Sequence, residues 1–484
     1  MPHILRATIM NYEQFIATKA IESPPTGFQP ADLPLKRPLF AFQRACVRWA
    51  LRRGRAALFH DCGLGKTAQQ LAWANEVAHY TKGSVLILAP LAVADQTIAE
   101  GRIIGVPVKH VAVMEDVDSP ICITNYEKLH KFEADRFAGV VLDESSILKS
   151  FDGKTRSDLI SAFRSTRYKL ACTATPAPND YMELGNHAEF IGVMTREEML
   201  SMFFTHDGGD TSKWRLKGHA QDVFWRWLCA WAVNLRKPSD LGFEDDGFVL
   251  PPLAVEQHIV EGEHKLDGYL FALPASTLHE RRAARNGSIN QRVKTTASLA
   301  DHGRPVLVWC NLNNESKAAA SAIDGAVEVT GSDTEEHKIS AVRGFIAGTH
   351  RVLVSKPSIV GFGMNFQHCA DVVFLGLSDS YEQYYQAVRR CWRFGQRRPV
   401  SCHLVISHLE GAVLANIRRK EGDAAAMSEN MVRHMADISS SEVRGVNRQT
   451  TSYYPNETIN LPSFINDKSM HPTDKRRELD TVSR

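Results

Sequence analysis

Short apolar runs alternate with helix-period stretches along most of this chain. Ala56-Ala-Leu-Phe59, Ser84-Val-Leu-Ile-Leu-Ala, Ser119-Pro-Ile-Cys-Ile-Thr, Gly139-Val-Val-Leu-Asp and Tyr168-Lys-Leu-Ala-Cys-Thr are continuous rather than alternating. Runs of that kind are strands covered on both faces, as in parallel sheets. Between Leu39 and Arg53, Phe42, Cys46, Trp49 and Ala50 fall on one helical face. A second series follows Arg304-Pro-Val-Leu-Val-Trp: Ala326-Val-Glu-Val, His350-Arg-Val-Leu-Val-Ser, Asp371-Val-Val-Phe-Leu and Val400-Ser-Cys-His-Leu-Val. The pattern predicts two doubly wound α/β domains with their chemistry at the carboxyl ends of the strands.

The alternation breaks after Phe190. Residues 195–250 are aromatic-rich, with Trp214, Trp225, Trp227 and Trp231, and read as a mostly helical insert. A packed insert is favoured over a base-stacking surface. The organisation expected is a lead-in over 1–36, a first domain over 37–192, the insert over 193–252, a second domain over 253–436 and a loosely ordered polar tail over 437–484.

Composition adds exclusions. With 44% apolar and 23% charged residues in 484, the chain reads as an ordinary soluble protein. No apolar run approaches the roughly 20 residues of a membrane span, and the first residues lack a signal peptide's apolar core. Nine scattered cysteines with no C-x-x-C pair argue against a disulfide framework or zinc site and for a reducing cytoplasmic setting. A net charge of +2 leaves any grip on nucleic acid to local basic patches. Candidates are Arg48, Arg52, Arg53 and Arg55, and the run Arg281-Arg282-Ala-Ala-Arg285, although each is equally a solvated helix face.

Three segments carry candidate chemistry. The strand ending at His60 runs into Asp61-Cys-Gly63-Leu64-Gly65-Lys66-Thr67 and then a helix. Gly63 and Gly65 would let backbone N–H groups around Leu64 curl about a phosphate at a helix N-terminus. Lys66 would reach the β- and γ-phosphates of ATP, and the Thr67 hydroxyl would hold Mg2+. His60 stands where the general pattern has its first glycine. Asp143-Glu144-Ser145-Ser146 closes a second apolar strand: Asp143 would complete the magnesium shell and Glu144 would polarise the attacking water. Thr173 and Thr175, past a third strand, are placed to hydrogen-bond that carboxylate pair. In the second domain Gln386, Arg390 and Arg393 recur at i, i+4 and i+7, predicting one helical face, read either as a solvated basic face or as one from which two arginines reach a γ-phosphate.

In this order the segments resemble the superfamily 2 helicases and translocases, most of all the chromatin-remodeller-like (Snf-type) branch found also in phages and bacteria. The resemblance runs from about Phe40 to Ser407. Leu88-Ala-Pro-Leu91, Ile123-Thr-Asn-Tyr126, Val308-Trp-Cys-Asn311, Gly361-Phe-Gly-Met-Asn365 and Gln386 to Gln396 carry it beside the phosphate loop. It implies two RecA-like domains, an adenine-reading role for Gln43, nucleotide contact by Gln386, and DNA, single- or double-stranded, as a partner held by its backbone. It further implies the cytoplasm of a bacterium or phage-infected host. Ser146 departs from the family's Asp-Glu-Ala-His, and with it the usual link from the nucleotide to the Thr173 segment. Two other classes share parts of the pattern: a phosphoryl-transferring P-loop enzyme, and a nucleic-acid-binding scaffold with weak or no ATPase.

Overall fold

In a computed structural model the described residues are 25–90, 93–149, 153–177, 180–207, 210–245, 247–261, 286–360 and 365–444. Helix α1 (Ala41–Arg53) buries the predicted face, Phe42, Cys46, Trp49 and Ala50. It leads through Gly54, at φ 76°, into β1 (Arg55–His60). There follow α2 (Lys66–Thr81), β2 (Val85–Ala89), α3 (Ala94–Ile104), β3 (Lys109–His110), β4 (Ile121–Asn125), β5 (Gly139–Asp143), α4 (Lys154–Ala162) and β6 (Tyr168–Cys172). Every residue of β2, β4, β5 and β6 is buried, as expected of strands covered by helices on both faces.

The stretch read as a mostly helical insert needs correcting. It holds α5 (Leu184–Ile191, entering from the preceding stretch), α6 (Arg196–Phe203), an antiparallel hairpin of β7 (Phe204–Asp207) and β8 (Asp210–Leu216), α7 (Gln221–Cys229) and β9 (Ala232–Leu235). Strand β9 pairs in parallel with β1 and completes a seven-stranded sheet of order β3-β4-β2-β5-β6-β1-β9. A four-residue strand directly after Trp231 carries no period of its own, which is why the sequence pattern missed it. Three of the four tryptophans are core: Trp225, Trp227 and Trp231 are buried with Phe59 and Phe203 beneath the first sheet, and Trp214 packs against them partly buried.

The second sheet has six parallel strands in the order β10-β15-β14-β11-β13-β12. They are β10 (Leu253–Val260), β11 (Val306–Trp309), β12 (Ala326–Val329), β13 (Val352–Ser355), β14 (Asp371–Phe374) and β15 (Val400–Ser407). Around them lie α8 (Ile289–Leu299), α9 (Asn313–Ala322), α10 (Glu335–Ala347), α11 (Pro357–Val360) and α12 (Tyr381–Val388). Both halves are thus doubly wound parallel α/β sheets. A final helix, α13 (Gly411–Arg444), crosses position 437, where the polar tail was expected to begin. Its Val413, Leu414 and Ile417 pack in the second sheet's core, and Met431 in the first sheet's. Apolar positions spaced beneath a polar composition make that helix amphipathic rather than loose.

Candidate functional site

All strands of the first sheet run parallel, so the segments after β1, β5 and β6 emerge at one edge, with β6 between the other two. The loop after β1 turns on Gly63 (φ 92°) and Gly65 (φ 71°), conformations that a side chain strains. A Cβ on Gly65 would lie 2.3 Å from the Gln43 amide nitrogen, so the backbone is seated against that side chain. Gln43 is buried. Its Nε2 donates to the Leu64 carbonyl at 2.9 Å and its Oε1 accepts from the Phe40 N–H at 3.0 Å. The amide therefore braces the loop, and an adenine contact would compete with both bonds.

Lys66 opens α2 and its Nζ donates to the carbonyls of His60 (2.8 Å) and Asp61 (3.3 Å), across the loop. His60, in the first glycine's place, is fully buried, and burial followed by the Lys66 charge pushes its imidazole down to about 3. It is a neutral core residue at the strand end.

Asp143 ends β5 and accepts from Gln70 Nε2 at 2.8 Å; burial raises its carboxyl above the ordinary range. Glu144 follows at φ 58°, a left-handed conformation costing a non-glycine residue about 1–2 kcal/mol. Its Oε1 accepts from Thr173 Oγ1 at 2.6 Å and from Ser146 Oγ at 3.3 Å. Ser146 does not break the link between the acidic segment and the segment after β6: Thr173 makes that link directly. Thr175 instead reaches the other half, where its hydroxyl donates to Glu382 Oε1 at 3.4 Å, and Lys149 donates to Glu382 Oε2.

One feature of the second half differs from expectation. Helix α12 ends at Val388, so Gln386, Arg390 and Arg393 do not share a helical face. The chain tightens into turns, with Arg390 N–H on Ala387 O, Cys391 N–H on Val388 O and Gln396 N–H on Arg393 O. Those turns still carry Arg390 and Arg393 into a cleft that they line with Gly63, Lys66, Thr67, Asp143 and Glu144. Burial and the neighbouring Arg390 charge pull the Arg393 guanidinium down to about 10, which leaves it charged at neutral pH. Gln386 does not line this cleft; it is buried, with neither amide atom hydrogen-bonded.

Sequence reasoning missed the residues that hold the two halves together. Arg389 donates to the Cys62 carbonyl at 2.9 Å and pairs with Asp61 at 2.5 Å, beneath Tyr385, whose hydroxyl also donates to Asp61. The signal available was Asp61, an acid inside a loop read as binding phosphate. Phe394 stacks on Phe248 at 4.6 Å and meets Phe40 edge-on at 6.1 Å, so the backbone at Phe394 approaches Gly63 as closely as a glycine permits. Of the basic candidates, Arg48 pairs with Asp32, and Arg55 donates to the Thr166 and Arg167 carbonyls. The run 281–285, residues 361–364, Leu91, residues 1–24 and the tail from 445 lie outside the described residues.

Comparison with known proteins bears on the second half. Residues 290–395 match the family described as the helicase conserved C-terminal domain. That half is similar to a helicase C-terminal domain. Among solved structures, the Sulfolobus solfataricus SWI2/SNF2 ATPase core in complex with dsDNA is 18% identical, with 87% of this chain and 99% of that one covered. The TM-score is 0.41, too coarse a likeness to carry residue roles across. No curated protein gives a match. Among the described residues no helix is long and apolar enough to cross a membrane.

Proposed function

We propose that the chain is an ATP hydrolase of the helicase and translocase kind, driven along a DNA backbone by closure and opening of the cleft between its sheets. The observation that carries this reading is one cleft lined by Lys66, Thr67, Asp143 and Glu144 from the first half and by Arg390 and Arg393 from the second. A phosphate loop alone fits many enzymes. Two arginines contributed by a separate α/β sheet fit a motor, because they complete the site only when the halves meet.

The residues fit a nucleotide with magnesium. Two glycines at positive φ leave the loop's N–H groups without side-chain obstruction, and the Thr67 hydroxyl and Asp143 carboxylate supply the few hard oxygen donors that Mg2+ takes from protein. Bound there, the ion would neutralise phosphate charge. Lys66 would leave the His60 and Asp61 carbonyls for the β- and γ-phosphates. Glu144, held by Thr173, would orient water and accept its proton. Arg390 and Arg393 would offset the charge that develops on the γ-phosphate oxygens.

The test is steady-state ATP hydrolysis with single-stranded DNA, duplex DNA or RNA as stimulant, on the native chain and two variants. Lys66→Ala is expected to lose turnover and weaken nucleotide binding together. Glu144→Gln is expected to lose turnover by a factor of about 10²–10⁴, as removal of a general base does, while retaining bound ATP. Near-native turnover in either variant would refute the site. Stimulation by no nucleic acid would refute the motor while leaving the hydrolase standing.

A further inference from the structure

A second group of chemically competent side chains lies on the second sheet. Glu256 and His258 alternate on β10, and His403 stands on the neighbouring β15, with Glu256 directly opposite His403 in the parallel register. The alternation puts all three on one face of the sheet. His258 Nε2 and His403 Nδ1 are 3.1 Å apart. The Glu256 carboxylate is 3.5 Å from His403 Nδ1 and 4.0 Å from His258 Nε2.

These separations are those of a metal's ligand shell. Zinc bonds of about 2.0–2.1 Å place neighbouring ligand atoms of a tetrahedron roughly 3.3–3.4 Å apart. Two pairs, at 3.1 and 3.5 Å, lie close to that value, and the third, at 4.0 Å, needs the exposed Glu256 side chain to close by about half an ångström. As a hydrogen bond, the imidazole pair engages one proton and leaves the carboxylate at the margin of contact. As a ligand set, it offers two nitrogens and one oxygen close together. Both imidazoles are half-buried and Glu256 is exposed, so the fourth position opens to water. Asp371, on the same face at the start of β14, is already held by Arg304 through two bonds of 3.0 Å. None of the three ligand residues lines the nucleotide cleft.

We infer that Glu256, His258 and His403 form a binding site for a divalent transition-metal ion, Zn2+ above all, that staples β10 to the second sheet. Two imidazoles and one carboxylate suit zinc better than magnesium, which takes oxygen ligands. The strand is one that profits from a staple. It is the sheet's edge, and Val260 alone of its eight residues is buried, while Val255 and Ile259 face solvent. It is also the first strand of the second half after the chain leaves the first. Its backbone ladder to β15 therefore has little side-chain burial behind it, and three bonds to one ion would fix the register.

The experiment uses the full chain, stripped with a chelator and dialysed against Zn2+, with metal content and affinity measured beside Glu256→Gln and the double variant His258→Ala/His403→Ala. The native chain is expected to bind one zinc more than the double variant. Glu256→Gln is expected to bind at least about tenfold more weakly, since even partners behind the ligands are worth 10–100-fold. Comparison by difference removes zinc held at thiols, and Glu256 is exposed enough for its variant to fold if the double variant does not. Co2+ in place of zinc should give the native chain the strong visible absorption of a tetrahedral site over and above that of the double variant. Zinc should also slow hydrogen exchange of β10 amides in the native chain and not in Glu256→Gln. Equal zinc content and affinity in the native chain and Glu256→Gln, or a site that takes Mg2+ in preference to Zn2+, would overturn the inference.

Discussion

At Asp143 the proposed role in chemistry comes at the expense of stability. Its carboxyl is buried at the end of β5 with a single side-chain donor from Gln70 at 2.8 Å, and burial raises its pKa. A carboxyl with a raised folded-state pKa binds more protons folded than unfolded between the two values, so stability falls as pH rises through that window. Asp143→Asn keeps an oxygen for Gln70 and removes the buried charge. Its melting temperature is expected to exceed the native one at neutral pH, with the gap closing as pH falls, while ATP hydrolysis is lost. Thermal unfolding at several pH values checks this; a native chain at least as stable at pH 7 would contradict it. Glu144, at φ 58°, adds strain at the next position. Type and spacing single out Lys66, Thr67, Asp143, Glu144, Arg390 and Arg393, and one cleft gathers them. What spacing could not disclose is what else a side chain touches. Gln43 braces the phosphate loop through backbone atoms of Leu64 and Phe40, and His60 is buried with neither ring nitrogen hydrogen-bonded.

Among the elements, strands of uniform apolar character were readable because burial on both faces needs no partner to be specified. Ends and pairings were not. Helix α12 stops at Val388 because the next residues are drawn toward the other half: Arg389 to Asp61 and Cys62, Phe394 to Phe248 and Phe40. Tertiary contacts thus override the i, i+4, i+7 pattern. The most economical of these cross-links is Glu382, in the first turn of α12, which accepts from both Lys149 and Thr175 of the first half. It touches no residue expected to bind phosphate, so Glu382→Ala is expected to leave nucleotide binding intact and weaken the response of hydrolysis to DNA. Couplings of this kind are worth roughly 5–150-fold. DNA titrations of ATPase rate in the two proteins measure it, and an unchanged ratio of stimulated to basal rate would remove Glu382 from the coupling.

On the scale of the whole molecule, α13 joins what the two sheets separate. Its 34 residues span about 51 Å at the helical rise, long enough to pack its start in the second core and Met431 in the first. The sequence offered the two sheets plainly and this strap not at all, since a helix shared between cores presents to each only a few apolar positions. The proposed grip on DNA is less local still. Arg48 and Arg55 have intramolecular partners, and a net charge of +2 supplies little long-range field. Binding is therefore expected to rest on a limited number of phosphate contacts. For duplex DNA the logarithm of affinity should fall linearly with the logarithm of salt concentration, with a slope of about −0.9 per contact, and differ little between base sequences. A salt-independent affinity, or strong preference for one sequence, would exclude tracking along the backbone.

That two halves build one catalytic cleft is the claim on which the rest depends, and Arg393 tests it most directly. Lys66, Asp143 and Glu144 belong to the first half, Arg393 to the second, and the cleft holds all four. The decisive measurement is DNA-stimulated ATP turnover of Arg393→Ala beside its nucleotide affinity. Affinity is expected to stay near native, because the first half supplies the phosphate loop. Turnover is expected to fall by roughly 10³–10⁵-fold, the contribution of an arginine finger to phosphoryl transfer, and DNA stimulation with it. Arg393→Lys should recover little, since a point charge lacks the planar fork that spans two oxygens. An alanine variant that binds nucleotide and keeps its DNA-stimulated turnover would show that the reaction takes place without the second half.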